Sequence, residues 1–202
     1  MSKIEIHNLE ELIQQNYPME VIKKLLDDVL LLSMQVKNDY PDYRNWYQTI
    51  QVPGLYDGTR NIIIAHIKDK IVGFVSLKKT HDEKKICTFY VEKSFRRNHI
   101  GTLLAEKAVD YLEEEKPLIT IPMDKLHEFV KIAEKYGWEI SEIKENLYRT
   151  TTPEVIVNGE LLEKNTQNSA EKSLKKTYKI YKIKIIKETI KTLLNFPQKL
   201  WK

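Results

Sequence analysis

The feature that most constrains the fold is a pair of apolar runs separated by only three polar residues. The runs are residues 61–67 and 71–77, with Lys-Asp-Lys at 68–70 between them. Runs of this length, rich in Ile and Val, are typical of strands, and a short polar connection joins them as a hairpin. A third run at 86–91 follows a polar stretch, so the sequence predicts a three-stranded antiparallel meander in the middle of the chain.

The other predicted elements place this meander in a mixed α/β domain. They are a strand at 3–7, a helix at 19–36, a loop or broken helix at 38–58, a helix at 100–114, a strand at 118–122, a helix at 125–136, and strands at 138–143 and 148–157. The strands on either side of helix 100–114 are expected to be parallel, because a helix crosses between them. The predicted fold class is α/β, with a mostly antiparallel mixed sheet flanked by helices.

Charge divides the chain into a body and a tail. Residues 161–202 contain 11 Lys+Arg and 3 Asp+Glu, which makes this end +8 and leaves the rest at −4 within a total of +4. We expect a domain at 1–157, a linker at 158–170 and a basic amphipathic tail at 171–202. Such a tail docks on the body, lies on an anionic membrane surface or binds nucleic acid, and the sequence leaves these alternatives open.

Composition excludes several other classes of protein. No run of about 18 apolar residues is present, so no membrane-spanning helix is expected. The N-terminus has no apolar signal region, and the single cysteine, Cys87, offers neither an internal disulfide nor a metal-cluster spacing. We expect a cytoplasmic protein without a metal, held at a membrane periphery only if the tail binds there.

The junction between the strand at 86–91 and the helix at 100–114 is the strongest functional signal. The first turn of a helix leaves backbone N–H groups unpaired and carries partial positive charge, which suits a pyrophosphate. Arg96 and Arg97 add charge before the helix, Gly101 allows close approach to the backbone, and Thr102 offers a hydroxyl. The alternative is a basic turn in which Gly101 serves packing alone.

Residues 89–104 resemble motif A of the GNAT acyl-CoA N-acyltransferases, whose pattern is Arg/Gln-x-x-Gly-x-Gly/Ala after a strand that ends in a valine-like residue. Residues 129–138 are similar to the family's later helix, which often ends in Tyr-x-Lys-x-Gly-Phe. The order of elements over residues 3–157 also resembles the family fold, which implies a GNAT-like domain there. This chain departs from the family at His99, where the first glycine stands, and at Leu126 and Ala133, where an asparagine and a tyrosine are usual.

The resemblance implies acetyl-CoA as co-substrate, with its pyrophosphate on the loop before the helix and its pantetheine arm beside strand 86–91. It also implies direct acetyl transfer to an amine, without a covalent enzyme intermediate, and a thioester polarised by a backbone N–H such as that of Val91. The residues expected to bind acetyl-CoA are Phe89, Val91, Arg96, Arg97, Asn98, His99, Ile100, Gly101 and Thr102.

The residues that would move protons are less well marked. Tyr136, at the end of helix 125–136, is the candidate proton donor to the leaving thiolate, with packing beside Trp138 as the alternative. Candidate bases are His81, Asp82 and Glu83, which also read as a solvated hairpin, and a base acting through water is a further possibility. Cys87 reads as a core strand residue. The tyrosine-rich segment 40–56 is either an acceptor-binding aromatic wall or a cap on the core.

Three functions fit these observations. The first is an N-acetyltransferase that uses acetyl-CoA and an amine acceptor, which is a small molecule, a peptide or an aminoacyl-tRNA. The second is a binding or interaction module with a GNAT-like fold and little catalysis. It is favoured by the missing tyrosine at Ala133 and by the missing carboxylate early on the strand at 86–91, where the matching region is Glu83-Lys84-Lys85. The third is a toxin-like enzyme acting on aminoacyl-tRNA, suggested by the basic tail alone.

Overall fold

The computed structural model describes residues 3–36 and 39–161, which form a seven-stranded sheet with helices packed on both faces. The predicted tail at 171–202 and residues 162–170 of the predicted linker lie outside the described residues. The strands are β1 (Ile4–Asn8), β2 (Arg60–Ile67), β3 (Lys70–Lys79), β4 (Lys84–Val91), β5 (Leu118–Pro122), β6 (Ile140–Lys144) and β7 (Glu154–Val157). The α-helices are α1 (Leu9–Gln14), α2 (Met19–Ser33), α3 (Tyr43–Trp46), α4 (Val52–Tyr56), α5 (Ile100–Leu112) and α6 (Val130–Tyr136).

The sheet order confirms the predicted topology. The strands lie in the order β1-β2-β3-β4-β5-β7-β6, and each neighbouring pair is antiparallel except β4 and β5. These two strands are parallel and α5 crosses between them, as the sequence predicts for its one crossover helix. β7 lies between β5 and β6, so the last strand in the sequence pairs with β5 and β6 forms the edge of the sheet.

Two apolar cores lie on opposite faces of the sheet. Ile63 and Ala65 of β2 pack with α5, whereas Ile62 and Ile64 of the same strand pack on the side of α1 and α2. Successive side chains of a strand point to opposite faces, and both faces of this strand are covered. This explains why the central strands appear in the sequence as unbroken apolar runs.

The segment predicted as a loop or broken helix is a broken helix. It consists of α3, a π-helical turn at Tyr47–Gln51, and α4. Tyr43 and Tyr47 are buried in the core on the α2 side, and the Tyr47 hydroxyl donates to the carbonyl of Leu26 at 2.9 Å. These two tyrosines therefore cap the core, whereas Tyr40, just before α3, lines a cleft described below.

The C-terminal third differs most from its predicted boundaries. The predicted helix 125–136 consists of a 3₁₀ segment, Met123–Glu128, followed by α6. α6 is terminated by Gly137, which adopts the left-handed conformation with φ of 62°. The strand predicted at 148–157 is shorter and begins at Glu154. Pro153 has no N–H to give to a ladder, so the residues before it form a loop that carries Arg149.

Candidate active site

The two parallel strands β4 and β5 separate near the middle of the sheet. Lys85 pairs with Leu118 and Ile86 with Ile119, and the described ladder between the strands ends there. Both strands continue beyond these pairs. The carboxyl halves of β4 and β5 therefore diverge, and a cleft opens between two strand edges that do not bond to each other.

A bulge at Cys87 accompanies this separation. In the register with β3, Ile86 lies opposite Leu77 and Thr88 opposite Ser76, so Cys87 is an extra residue on β4. A bulge bends its strand and strengthens the local twist, so this one redirects the end of β4 relative to β5.

The backbone groups of Phe89 and Val91 face the cleft. Glu92 donates its N–H to the carbonyl of Val72 at 2.9 Å, and hydrogen-bonded pairs alternate along an antiparallel ladder. Phe89 and Val91 therefore occupy the non-hydrogen-bonded positions with respect to β3, and their N–H and C=O groups point toward β5. This is the orientation that the expected pairing with a pantetheine arm requires.

The N-terminus of α5 lies beside the end of β4 and has no side-chain cap. His99 stands at the N-cap position, and its side chain makes no capping hydrogen bond. Leu103 donates to the carbonyl of His99 at 3.0 Å, the usual first bond of a helix. The N–H groups of residues 100–102 therefore point out of the helix end, where the dipole adds partial positive charge.

We call residues 96–102 the anion cradle. Arg97 and His99 both adopt left-handed backbone conformations, with φ of 65° and 61°. This conformation costs a non-glycine residue about 1 kcal/mol, and such turns direct successive N–H groups into one concavity. A Cβ on Gly101 would lie 3.9 Å from Phe89 Cε1 and 4.0 Å from Val91 Cγ2, so a longer side chain there would fill the space in front of β4. The backbone of the cradle and the open space at Gly101 fit a diphosphate.

Among the side chains of the cradle, Arg96 makes contacts within the protein, whereas Arg97 and Asn98 are exposed to solvent. Arg96 Nε donates to the carbonyl of Val91 at 3.1 Å, and its Nη1 pairs with Glu128 at 2.8 Å. Arg96 therefore bridges the end of β4 to the 3₁₀ segment after β5. Arg97 and Asn98 are exposed, and Asn98 Nδ2 donates to the carbonyl of Phe95 at 3.4 Å. Arg97 thus presents its charge to solvent at the mouth of the cradle.

Tyr136 is not brought to the cleft. Its ring stacks on Trp138 with centroids 6.1 Å apart, and the indole Nε1 donates to the carbonyl of Glu115, beyond the C-terminal end of α5. Tyr136 therefore lies at the opposite end of α5 from the cradle, in the packing position that the sequence analysis gave as the alternative.

The base candidates from the sequence also lie elsewhere. His81 and Asp82 are exposed in the β3–β4 turn, and Glu83 pairs with Lys78 at 2.6 Å. Cys87 does line the cleft, and its thiol is 3.5 Å from Nη1 of Arg60. Burial raises the pKa of the Cys87 thiol, with Arg60 acting in the opposite direction, so Cys87 is a poor nucleophile here.

A cluster of charged side chains that the sequence analysis did not find lies beside the cleft, and we call it the carboxylate chamber. Its members are Asp39, Asp124, Lys125, Arg149 and Glu154. Asp39, itself buried, pairs with Lys125 and, at 3.0 Å, with Arg149. Arg149 also pairs with Asp124 at 3.2 Å. The sequence carries a signal for one member of this cluster only, because Glu154 is a carboxylate directly before the apolar run 155–157.

Glu154 is the most unusual residue of the chamber. It is 0% exposed, and neither carboxylate oxygen has a hydrogen-bond partner among the described residues. Burial raises the pKa of the Glu154 carboxyl to about 7, with nearby Arg149 acting against this shift and Asp39 reinforcing it. Glu154 can therefore exchange a proton near neutral pH, as a general base must.

The cleft joins the cradle to the chamber. It is lined on one side by residues of β4, including Thr88 and Phe89, and on another by Asp39, Tyr40 and Lys125. Arg96 and Phe129 also contribute, and Phe129 packs edge-to-face on Phe89 with centroids 5.6 Å apart. A molecule lying along β4 with its anionic end on the cradle would thus reach the chamber with its other end.

Neither a metal-holding group nor a membrane-spanning helix is present within residues 3–36 and 39–161. No group of three or more His, Cys, Asp or Glu side chains there could hold a metal ion. No helix in the same part of the chain is long and apolar enough to cross a membrane.

Three solved structures are similar to this chain, and the first of them shares its fold. A GNAT-family protein from Desulfovibrio desulfuricans aligns with a TM-score of 0.55 at 13% identity, over 77% of this chain and 97% of that one. A GNAT acetyltransferase from Elizabethkingia anophelis with acetyl-CoA bound gives 0.43 at 18% identity, over 56% and 84% of the two chains. The ribosomal-protein-S18-alanine N-acetyltransferase of Escherichia coli also gives 0.43 at 18% identity, over 54% and 76%.

Sequence comparison gives the family more directly. No curated protein matches the chain. The family model described as "Acetyltransferase (GNAT) domain" matches residues 32–151, which include β2 to β5, α5, α6 and the cradle. This match covers more than half of the chain, and the first of the three solved structures shares the fold. The chain therefore belongs to the GNAT acetyltransferase family.

Proposed function

We propose that this protein is an N-acetyltransferase that moves the acetyl group of acetyl-CoA directly to an amine. The observation that carries the proposal is the meeting of two features: the cleft beside Phe89 and Val91, and the uncapped N-terminus of α5. The first offers backbone pairing to an extended chain with amide groups, and the second offers N–H groups to a diphosphate. Coenzyme A has these two parts in this order.

The residues of the cradle have separate roles in this proposal. The N–H groups of residues 100–102 bind the pyrophosphate, Gly101 keeps its approach open, and exposed Arg97 pairs with a phosphate oxygen. Arg96 changes partner, from Glu128 to a phosphate. Phe89 and Val91 pair through their backbones with the pantetheine amides, while Asn98, His99 and Thr102 complete the cradle.

The chemistry follows from the position of the thioester beside β4. A backbone N–H such as that of Val91 polarises the thioester carbonyl, the neutral amine attacks its carbon, the C–N bond forms and the C–S bond breaks. The thiolate leaves and takes a proton, and the amine nitrogen gives up its own. Tyr136 stays a prediction for the donor to the thiolate, and its place beside Trp138 calls for a direct test with Tyr136→Phe.

The proposal is tested by calorimetry with acetyl-CoA on the wild type and on Gly101→Trp. We expect the wild type to bind with a Kd well below about 1 mM, equivalent to more than roughly 4 kcal/mol, and Gly101→Trp to lose at least tenfold in affinity. Release of free thiol from acetyl-CoA in the presence of simple amines and peptides then measures transfer.

The matched control places the same bulky residue at the other end of α5, where Glu114 is exposed. Glu114→Trp should bind acetyl-CoA as the wild type does, and thermal unfolding of both variants reports whether they fold. No heat and no thermal shift with wild type at about 1 mM acetyl-CoA would refute the coenzyme site. Binding without thiol release from any amine would favour a binding module, which the distance of Tyr136 from the cleft also favours.

A further inference from the structure

Glu154 occupies a position where an unpaired carboxylate is costly. Its side chain is fully buried, and both oxygens are without a hydrogen-bond partner among residues 3–36 and 39–161. A buried unpaired charge costs several kcal/mol, and most buried polar groups in native proteins are paired. Carboxylates held in this way are found where a ligand or a proton is to be received.

The strand register directs the Glu154 side chain to the face of the sheet opposite α5. Val155 and Val157 of β7 lie in the core under α5, and alternate residues of a strand point to opposite faces. Glu154 therefore points to the other face, where Asp39 and Tyr40 lie. Its neighbour on β5 is Pro122, which has no backbone N–H to offer.

The two cations of the chamber make their ion pairs with other carboxylates than Glu154. The two cations of the chamber, Lys125 and Arg149, are both paired with Asp39, and Arg149 is also paired with Asp124. Arg149 Nε also has no hydrogen-bond partner among the described residues, so it does not bond to Glu154. Lys125 and Arg149 are thus engaged by the two aspartates, and neither makes a hydrogen bond to Glu154.

Tyr40 connects Glu154 to the cleft. The tyrosine lines the cleft, and its ring packs edge-to-face on Tyr148 with centroids 5.1 Å apart. Burial and then the charge of Glu154 raise the pKa of the Tyr40 phenol. Pro122, which pairs with Glu154 in the ladder between β5 and β7, also lines the cleft.

We propose that Glu154 binds the ammonium group of a primary aliphatic amine and takes the proton that this group must lose before it attacks the thioester. This inference rests on the proposed acetyltransferase function and names its acceptor class. The amine N–H groups donate to the two carboxylate oxygens, and the rings of Tyr40 and Tyr148 surround the attached carbon chain. An ammonium group at this point supplies hydrogen bonds to a carboxylate that has no such partner among the described residues.

The proton balance is simple. One proton passes from the ammonium nitrogen to a Glu154 oxygen, and the nitrogen lone pair then forms the C–N bond to the acetyl carbon. The C–S bond breaks with its electrons on sulfur, the thiolate takes a proton from water, and the nitrogen loses one further proton to water. Glu154 returns its proton to solvent after the product leaves. Burial raises the pKa of the Glu154 carboxyl to about 7, so it is basic enough to accept a proton and weak enough as an acid to hold it near neutral pH.

The other titratable or charged groups that face this carboxyl come from every element around it. They are Asp39 and Tyr40 before α3, Asp124 and Lys125 of the 3₁₀ segment, Lys144 opposite Glu154 on β6, and Tyr148 and Arg149 of the β6–β7 loop. A pH profile must therefore be compared with that of a variant that lacks the Glu154 carboxyl alone.

The test measures kcat/KM for n-butylamine and for aniline with wild type, Glu154→Gln and the control Glu139→Gln, whose carboxyl is exposed just before β6. Glu154→Gln keeps the shape of the side chain. We expect it to lower kcat/KM for n-butylamine by about 100-fold or more and to change that for the neutral aniline far less. We also expect it to abolish the rise of the n-butylamine rate with pH near 7. Acetyl-CoA affinity should stay within twofold in both variants, because Glu154 does not touch the cradle.

Each result bears on one of the two proposals. Failure of the wild type to bind acetyl-CoA refutes the proposed function itself. Wild type that binds acetyl-CoA but acetylates neither n-butylamine nor longer alkylamines overturns the inference about Glu154 while the coenzyme site stands. Equal losses with n-butylamine and aniline, or none, also overturn it, since either result would mean that Glu154 does not act on the ammonium group of the acceptor.

Discussion

The anion cradle and the carboxylate chamber bind opposite charges by opposite means. The cradle is one continuous segment, residues 96–102, and its donors are backbone N–H groups at a helix end that is open to solvent. The chamber collects side chains from four separate parts of the chain, and its central groups, Asp39 and Glu154, are buried. The cradle thus depends on local conformation, whereas the chamber depends on the packing of the whole domain.

This difference determines how each region responds to substitution. A backbone donor at a solvent-exposed helix end can lose a neighbouring side chain without leaving a buried charge uncompensated. In the chamber, removing one partner leaves a charged group in a medium that solvates it poorly. Substitutions in the cradle should therefore alter ligand affinity, and those in the chamber should alter folding stability as well.

The largest expected effect is that of Arg149→Leu on stability. Arg149 pairs with Asp39 and Asp124 and is the main counter-charge to Glu154. Its loss leaves Asp39 paired with Lys125 alone and removes the main counter-charge of Glu154. We therefore expect the free energy of unfolding, measured by urea denaturation, to fall by about 3 kcal/mol. The matched change in the cradle, Arg97→Leu, should alter stability by less than about 0.5 kcal/mol.

For coenzyme A affinity, we expect the cradle variant Arg97→Leu to have a larger effect than the chamber variant Arg149→Leu. Arg97→Leu removes an exposed charge at the mouth of the cradle, and we expect calorimetry to give a loss of about tenfold in coenzyme A affinity, or about 1.4 kcal/mol. Arg149→Leu, measured at a temperature where it is folded, should bind coenzyme A as the wild type does. If both variants lost stability equally, the two regions would not differ as their burial indicates.

The same difference explains what could be predicted from the sequence. The meander, the parallel step and the cradle follow from patterns within short segments, such as the alternation of turn residues with apolar runs before α5. The chamber could not be found, because Asp39, Lys125 and Arg149 meet only after β5 and β7 pair. Tyr136 was selected by its place in a helix, and that pattern does not show that α6 ends near Glu115 rather than near the cleft.

A third prediction concerns the pH dependence of stability in Glu154→Gln. Burial raises the pKa of the folded-state carboxyl from 4.5 to about 7, so between these values the unfolded chain releases a proton that the folded chain keeps. Wild-type stability therefore falls as pH rises through this window, by about 3 kcal/mol for this one group, and the fall is complete above about pH 8.

The variant has no such group, so its unfolding free energy minus that of wild type should rise by about 3 kcal/mol between pH 4.5 and pH 8. Urea unfolding of both proteins at a series of pH values measures this difference, and other titrations common to the two largely cancel. A difference that does not vary with pH would mean that Glu154 is solvated in the folded protein, and the contrast between chamber and cradle would lose its basis.

The smallest effect should come from Glu128→Gln, which alters the one ion pair of the cradle. Arg96 and Glu128 are each about a third exposed, at 32% and 30%, and such pairs contribute about 0.2–1 kcal/mol. We expect stability to change by less than about 0.5 kcal/mol. Coenzyme A should bind about two- to fivefold more tightly, because a competing carboxylate is removed from Arg96 and from the phosphates. The gain should shrink as salt is raised, since exposed charges are screened. Weaker binding would instead mean that the pair holds the cradle in shape, so that its conformation, like that of the chamber, depends on a side-chain contact between distant segments.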